Sequence, residues 1–68
     1  MITLEGIKEQ GNEIWELAER HDDETAHSKE DALYKAVLET IAHGAANPSQ
    51  LAMAALGTKE IEFSRWCA

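Results

Sequence analysis

Residues 4 to 18 read LEGIKEQGNEIWELA, and this stretch decides the fold. When each residue is advanced by 100°, the apolar side chains fall on one side of a helix and the carboxylates on the other. A strand would need alternation by two, which residues 9 to 13 do not supply. The pattern therefore predicts an amphipathic helix over residues 3 to 21. Its apolar side comprises Leu4, Ile7, Gly11, Ile14, Trp15, Leu17 and Ala18, and its acidic side comprises Glu5, Glu9, Glu13 and Glu16.

The apolar side of this first helix also carries the seven-residue spacing by which one helix packs against another. The spacing runs through Leu4, Ile7, Gly11, Ile14 and Ala18. Because Gly11 and Ala18 are small, a second helix could approach closely at these positions. We therefore expect the first helix to pack against a following one as a helical hairpin.

The second helix is predicted over residues 28 to 43. Residues 22 to 27 hold no aliphatic side chain larger than alanine and are expected to form a solvated connection. Ser28 is a suitable N-cap, and Gly44 suits the left-handed residue that follows a helix. The apolar stripe of this helix is about 140° wide at 100° per residue, broader than one partner helix covers. It comprises Leu33, Tyr34, Val37, Leu38 and Ile41.

Shorter elements are expected in the C-terminal third of the chain. Asn47 and Pro48 suit the start of a third helix over residues 48 to 56, because proline is tolerated at the first helical position. Residues 58 to 66 are ambiguous, since Ile61, Phe63 and Arg65 alternate as in a strand. A lone strand would have no partner in a helical chain, so we favour a fourth short helix. The predicted fold is all-α, with two longer helices and one or two short C-terminal ones in one domain over residues 1 to 68.

The small size of the chain indicates that it needs a second copy to form a stable core. A domain of 68 residues buries little surface, and its single cysteine, Cys67, cannot form an intrachain disulfide. We therefore expect a homodimer that completes a helical bundle.

The net charge is −7, and residues 1 to 24 hold eight acids against two basic residues. This imbalance makes nucleic acid an improbable partner and favours a protein with a basic patch.

The function that these features favour is protein interaction. We expect a small acidic protein that regulates or inhibits a protein partner, in the manner of many phage and mobile-element products. No signal sequence or membrane-spanning run is recognised, which predicts a cytoplasmic protein. Neither an enzymatic activity nor a cofactor is expected, since no nucleophile lies beside a base. The expected contact residues are Leu4, Ile7, Gly11, Ile14, Trp15, Ala18, Leu33, Val37 and Ile41, with Glu5, Glu9, Glu13 and Glu16 as an acidic surface.

The sequence also allows two other functions, DNA binding and metal binding. Residues 50 to 66 resemble the helix-turn-helix units of phage-type repressors, with a small-residue helix, a glycine turn and a helix ending in Ser-Arg-Trp. This resemblance implies DNA binding through Lys59, Ser64 and Arg65, although acids at positions 60 and 62 would face phosphates. The third hypothesis is a metal site, because imidazole and carboxylate side chains are metal ligands. Its residues are His21, His27, Glu39 and His43.

Overall fold

The computed structural model describes residues 1–65 and is all-helical over this range. Three α-helices follow one another, α1 (Leu4–Glu19), α2 (Asp23–Ala42) and α3 (Pro48–Leu56), and a short 3-10 helix spans Gly57–Glu60. The first two α-helices form a hairpin, and the third packs on both. The predicted all-α fold with a helical hairpin is confirmed for this part of the chain. None of these helices has the length and apolar character needed to cross a membrane.

The first helix begins where its capping residue satisfies a free backbone N–H. The hydroxyl of Thr3 accepts a hydrogen bond from the N–H of Gly6 at 3.1 Å, as expected at a helix start. The helix ends at Glu19, two residues before the predicted boundary. Its buried side chains follow the predicted apolar side: they are Ile7, Ile14 and Leu17.

The second helix starts earlier than predicted, so the expected solvated connection over residues 22 to 27 is wrong. His21 adopts a left-handed conformation with φ of 59°, which reverses the chain within a short turn. Asp22 then caps α2 by accepting a hydrogen bond from the N–H of Thr25 at 3.4 Å. Ala26 is fully buried, so the polar segment still packs one face on the core. Ser28, the predicted N-cap, is an exposed residue inside the helix.

The junction between α2 and α3 follows the sequence prediction more closely. Gly44 lies after the last helical turn with φ of 88°, and its N–H donates to the carbonyl of Ile41 at 3.0 Å. Glycine adopts this left-handed conformation without the steric cost that other residues incur. Pro48 is the first residue of α3, and Asn47 occupies the capping position without a capping side-chain hydrogen bond.

The fourth predicted helix, over residues 58 to 66, is wrong in the described part of the chain. Gly57–Glu60 is a single 3-10 turn, and Ile61 is extended with φ of −79° and ψ of 125°. Residues 62 to 65 form no regular element. We call residues 61 to 65 the tail. Trp66 and Cys67 lie outside the described residues.

The core lies where α1, α2 and α3 meet. Ile14, Leu33 and Ala26 have no exposed surface, and Ile7 retains only 1%. Each large apolar side chain buried in this way contributes roughly 1.5–3 kcal/mol. The buried apolar residues are Ile7, Ile14, Leu17, Ala26, Leu33, Val37, Leu51, Ala55 and Ile61.

Candidate functional site

The residues expected to contact a partner divide into two groups. Four of them, Ile7, Ile14, Leu33 and Val37, are buried inside the chain itself and could meet another protein only if the monomer opened. The others retain accessible surface, and Trp15 is 52% exposed. The half-buried members are Leu4, Gly11, Ala18 and Ile41, and the acids Glu5, Glu9, Glu13 and Glu16 are all exposed.

An apolar groove runs between α2 and α3, and we call it the α2/α3 groove. It encloses about 270 Å³, and no charged residue lines it. Two of its side chains protrude into solvent, because Leu38 is 66% exposed and Leu56 is 60% exposed. Its lining comprises Tyr34, Val37, Leu38, Ile41, Ala52, Ala55 and Leu56.

The groove follows from the residue types on the two helices that form it. The apolar stripe of α2 is wide, so Val37 faces the core while Leu38 points to solvent. The facing positions of α3 include Ala52 and Ala55, whose short side chains leave space beside the larger residues of α2. The sequence therefore places apolar surface here that the chain does not cover by itself.

A second accessible surface surrounds Trp15 near the C-terminal end of α1. Three separate concavities are lined in part by this side chain. The indole N–H donates a hydrogen bond to the carboxylate of Glu19 at 2.8 Å, one turn further along α1. We call this region the Trp15 surface. Its exposed carboxylates are those of Glu16, Glu19, Glu60 and Glu62.

The carboxylate of Glu30 is a buried polar group with several partners, and it is 1% exposed. Arg65 binds it through two hydrogen bonds, from Nε at 2.8 Å and from Nη2 at 3.0 Å. The hydroxyl of Thr58 donates to the same carboxylate at 2.7 Å, and Tyr34 Oη lies 2.6 Å from that hydroxyl. Lys59 Nζ lies 3.7 Å from Glu30. We call this group the Glu30 cluster.

Opposing effects act on the ionisation of Glu30. Burial disfavours the charged carboxylate and raises the pKa, whereas the hydrogen bonds from Arg65 and Thr58 and the charges of Arg65 and Lys59 lower it. The favourable contacts prevail, and the pKa of Glu30 lies below its ordinary value of 4.5. The hydrogen bond to Glu30 raises the pKa of Arg65 in turn. The cluster is thus a charged pair at neutral pH.

The Glu30 cluster fixes the tail against α2. Besides binding Glu30, the Arg65 guanidinium donates to the carbonyls of Thr58, Ile61 and Phe63 at 3.2, 3.3 and 3.4 Å. It also lies 3.8 Å from the centre of the Phe63 ring. These contacts wrap the tail around its own arginine. The Glu30 cluster therefore has a structural role, because it holds residues 57 to 65 on the helical hairpin.

The described residues do not form the second helix that the helix-turn-helix hypothesis requires. The DNA-reading helix would span residues 58 to 66, but the described part of this segment is the end of a 3-10 turn followed by the irregular tail. Arg65, one expected DNA contact, is directed at Glu30. Lys59 lies beside the same carboxylate, and Ser64 is half-buried.

The residues of the metal hypothesis are not brought together. In residues 1–65, no three histidine, cysteine or carboxylate side chains are grouped so that they could hold an ion. His27 Nε2 lies 3.5 Å from Asp31, and His43 Nδ1 lies 2.8 Å from the carbonyl of Glu39. His21 is exposed in the turn between α1 and α2. The four residues are therefore distributed over separate local contacts.

We expect the contribution of Glu30 to stability to depend on pH. A carboxyl whose folded pKa is depressed stabilises the fold above its unfolded pKa, and this stabilisation is lost as the pH falls through the folded pKa. The difference in free energy of unfolding between the wild type and Glu30→Gln should therefore be largest at neutral pH and shrink below pH 4.5. Urea unfolding over a pH series measures it. A constant difference down to about pH 3 would contradict the assigned pairing.

Comparison with known proteins identifies no relative, since the chain matches no protein-family model, no curated protein and no solved structure.

Proposed function

We propose that this chain is a protein-interaction protein without catalytic activity, and that it associates through the α2/α3 groove to form a homodimer. In this form it regulates or inhibits a further protein partner by binding it. The observation that carries the proposal is the uncharged groove flanked by two protruding leucines, Leu38 and Leu56. Exposed apolar surface of this kind marks interaction sites in small soluble proteins.

Charge favours a second copy as the occupant of the groove. Each chain carries a net charge of −7, so two copies repel one another wherever their acidic surfaces meet. None of the groove residues is charged, and none belongs to α1, which carries the acids Glu5, Glu9, Glu13 and Glu16. Association at the groove therefore keeps these acids away from the dimer interface.

The shape of this face also suits a two-fold dimer. Such an interface brings the same surface of both copies together, so it must be complementary to itself. The face combines a concavity with protruding side chains, Leu38 on α2 and Leu56 on α3. Each leucine can enter the groove of the other copy. Burial of these side chains would contribute roughly 1.5–3 kcal/mol each, and it would add to the limited core of a small domain.

We expect Leu38→Glu and Leu56→Glu to convert the dimer into a folded monomer. Both side chains are exposed in the monomer, so a carboxylate there costs little until a second copy covers it. Sedimentation equilibrium at micromolar concentration should give about twice the 7.5 kDa chain mass for the wild type and the single chain mass for each variant. Circular dichroism should show unchanged helix content.

Ala32→Glu provides a matched control. Ala32 is exposed on α2, the helix that also carries Leu38, but it does not line the groove. Its substitution adds one negative charge, as each leucine substitution does. This variant should sediment as the wild type does. A monomeric wild type, or dimers of both leucine variants with undiminished affinity, would contradict the proposed surface.

A further inference from the structure

We infer that the Trp15 surface binds a segment of a partner protein that carries lysine or arginine side chains. This inference rests on the proposed protein-interaction function and adds the chemistry of the partner. Tryptophan is enriched among the residues that contribute most to protein interfaces. Trp15 is 52% exposed although it is large and apolar, and concave surfaces adjoin it on several sides.

The geometry of the indole ring is suited to a binding role. Its N–H donates to the carboxylate of Glu19, so the polar edge of the ring already has a partner. A partner protein can therefore cover the ring without leaving this donor buried and unpaired. The concavity on one side is deepened by Gly11 on α1, which has no side chain, and is bounded by Ala54 and Ile61. Because Lys8 is the only charged residue among the described residues that line this concavity, an uncharged side chain of the partner segment can enter it beside the ring.

The charged residues near the Trp15 ring favour binding of a lysine or arginine side chain of the partner. The four exposed carboxylates line the two concavities toward the C-terminal end of α1, where Arg20 is the one basic residue among the described lining residues, which leaves a formal charge of −3 there. The last turn of α1 contains no basic residue. Because the C-terminal end of a helix carries partial negative charge, a cation there is stabilised by the helix as well. An ammonium or guanidinium group can also lie over the tryptophan ring, which attracts cations.

The Trp15 surface and the dimer surface are separate. No residue that lines the concavities around Trp15 also lines the α2/α3 groove. A homodimer formed through the groove therefore leaves Trp15 accessible on both copies. A partner with two basic segments would bind such a dimer more tightly than a monomer, because the second contact forms within the same complex.

Isotope-edited NMR on the full chain tests this inference. The probe is an alanine-based helical peptide rich in lysine and arginine, and its control is the same peptide with glutamine at the basic positions. We expect only the basic peptide to shift the indole N–H resonance of Trp15 and the backbone amides of Glu16 and Glu19. The dissociation constant should be below about 1 mM and should rise with salt. The Trp15→Phe variant assigns the indole resonance.

Three variants distinguish a defined site from general charge attraction. Trp15→Ala should weaken peptide binding at least about tenfold, the loss that defines an important interface residue. Glu19→Gln removes a charge but keeps an oxygen that accepts from the indole, and should weaken binding about threefold. Glu39→Gln removes the same charge from α2, away from Trp15, and should leave the affinity unchanged.

The inference is overturned if the basic peptide shifts no resonance around Trp15, or if Glu39→Gln weakens binding as much as Glu19→Gln does. Sedimentation of the same samples separates this result from the dimer proposal. A monomeric chain with localised peptide shifts would contradict the dimer and support the Trp15 surface. A dimer without such shifts would contradict the Trp15 surface alone.

Discussion

Replacing Arg65 by alanine should lower the free energy of unfolding by about 3 kcal/mol, toward the lower end of the range for breaking a buried ion pair. The carboxylate of Glu30 is 1% exposed, and the substitution leaves it without both hydrogen bonds from the positively charged guanidinium. We expect a loss of free energy of unfolding at the lower end of this range because the Arg65 side chain is 27% exposed. Water can therefore reach the space that the substitution vacates. Urea unfolding monitored by circular dichroism measures the loss.

Two further variants separate charge from geometry in the Glu30 cluster. Arg65→Lys keeps the positive charge but cannot form the paired hydrogen bonds, and should lose about half as much stability. Replacing both Glu30 and Arg65 by methionine removes the charges together and should recover most of the stability of the wild type, because no buried charge remains unpaired. Unchanged stability of Arg65→Ala would contradict the structural role of the cluster.

Ile14→Asp should abolish folding. Ile14 has no exposed surface and packs at the centre of the three helices, so the substitution places a carboxylate where no partner is available. A chain of 68 residues has roughly 3–10 kcal/mol of total stability, which a buried unpaired charge can exceed. Circular dichroism should show the loss of the helical spectrum at room temperature.

The conservative change at the same position is the control. Ile14→Val removes one methylene and should cost about 0.5–1.5 kcal/mol while the helices remain. A folded Ile14→Asp variant would mean that the position is not in the core. The contrast with Leu38→Glu is informative, since that variant is expected to remain folded and lose only its association.

The first helix and the junction between α2 and α3 could be predicted from the sequence because their signals are local. The apolar spacing of α1, the left-handed Gly44 and the first-turn Pro48 each act within a few residues. The start of α2 cannot be predicted from polarity alone, because residues 22 to 27 are mostly polar and yet helical from Asp23 onward. The local signals there were Asp22 as a cap and Asp23 and Glu24 in the first turn, where acids are favourable.

The Glu30 cluster could be predicted only in part. The spacing of four and three residues that runs through Leu33 and Val37 also includes Glu30, so the sequence pattern alone can place this carboxylate on the core-facing side. The structure buries Ala26, Glu30, Leu33, Val37 and Thr40. A buried carboxylate needs a partner, but the main partner of Glu30 is Arg65, separated by 35 residues. The residues of the tail allow a helix by themselves, so local sequence predicts one there. The structure instead has a single 3-10 turn followed by an irregular tail, which contacts of Arg65 and Thr58 hold in place.

The exposed apolar surface of α2 and α3 could also be predicted only in part from the sequence. The width of the apolar stripe on α2 correctly indicated that part of it would remain uncovered. The expected contacts included Leu33 and Val37, which the third helix and α1 bury, whereas Leu38 and Leu56 carry the exposed surface. Assignment of each apolar residue to the inner or outer side depends on where α3 lies. That position is set by packing between distant segments rather than by local sequence.

Nuclear Overhauser contacts between differently labelled copies test most directly whether a second copy occupies the α2/α3 groove. In a mixed sample of labelled and unlabelled chains, we expect intermolecular contacts from the methyl groups of Leu38 and Leu56 to those of Ile41 and Ala52. These residues line the groove of the other copy. Intermolecular contacts confined to α1, or their absence in a sample that sediments as a dimer, would contradict the account.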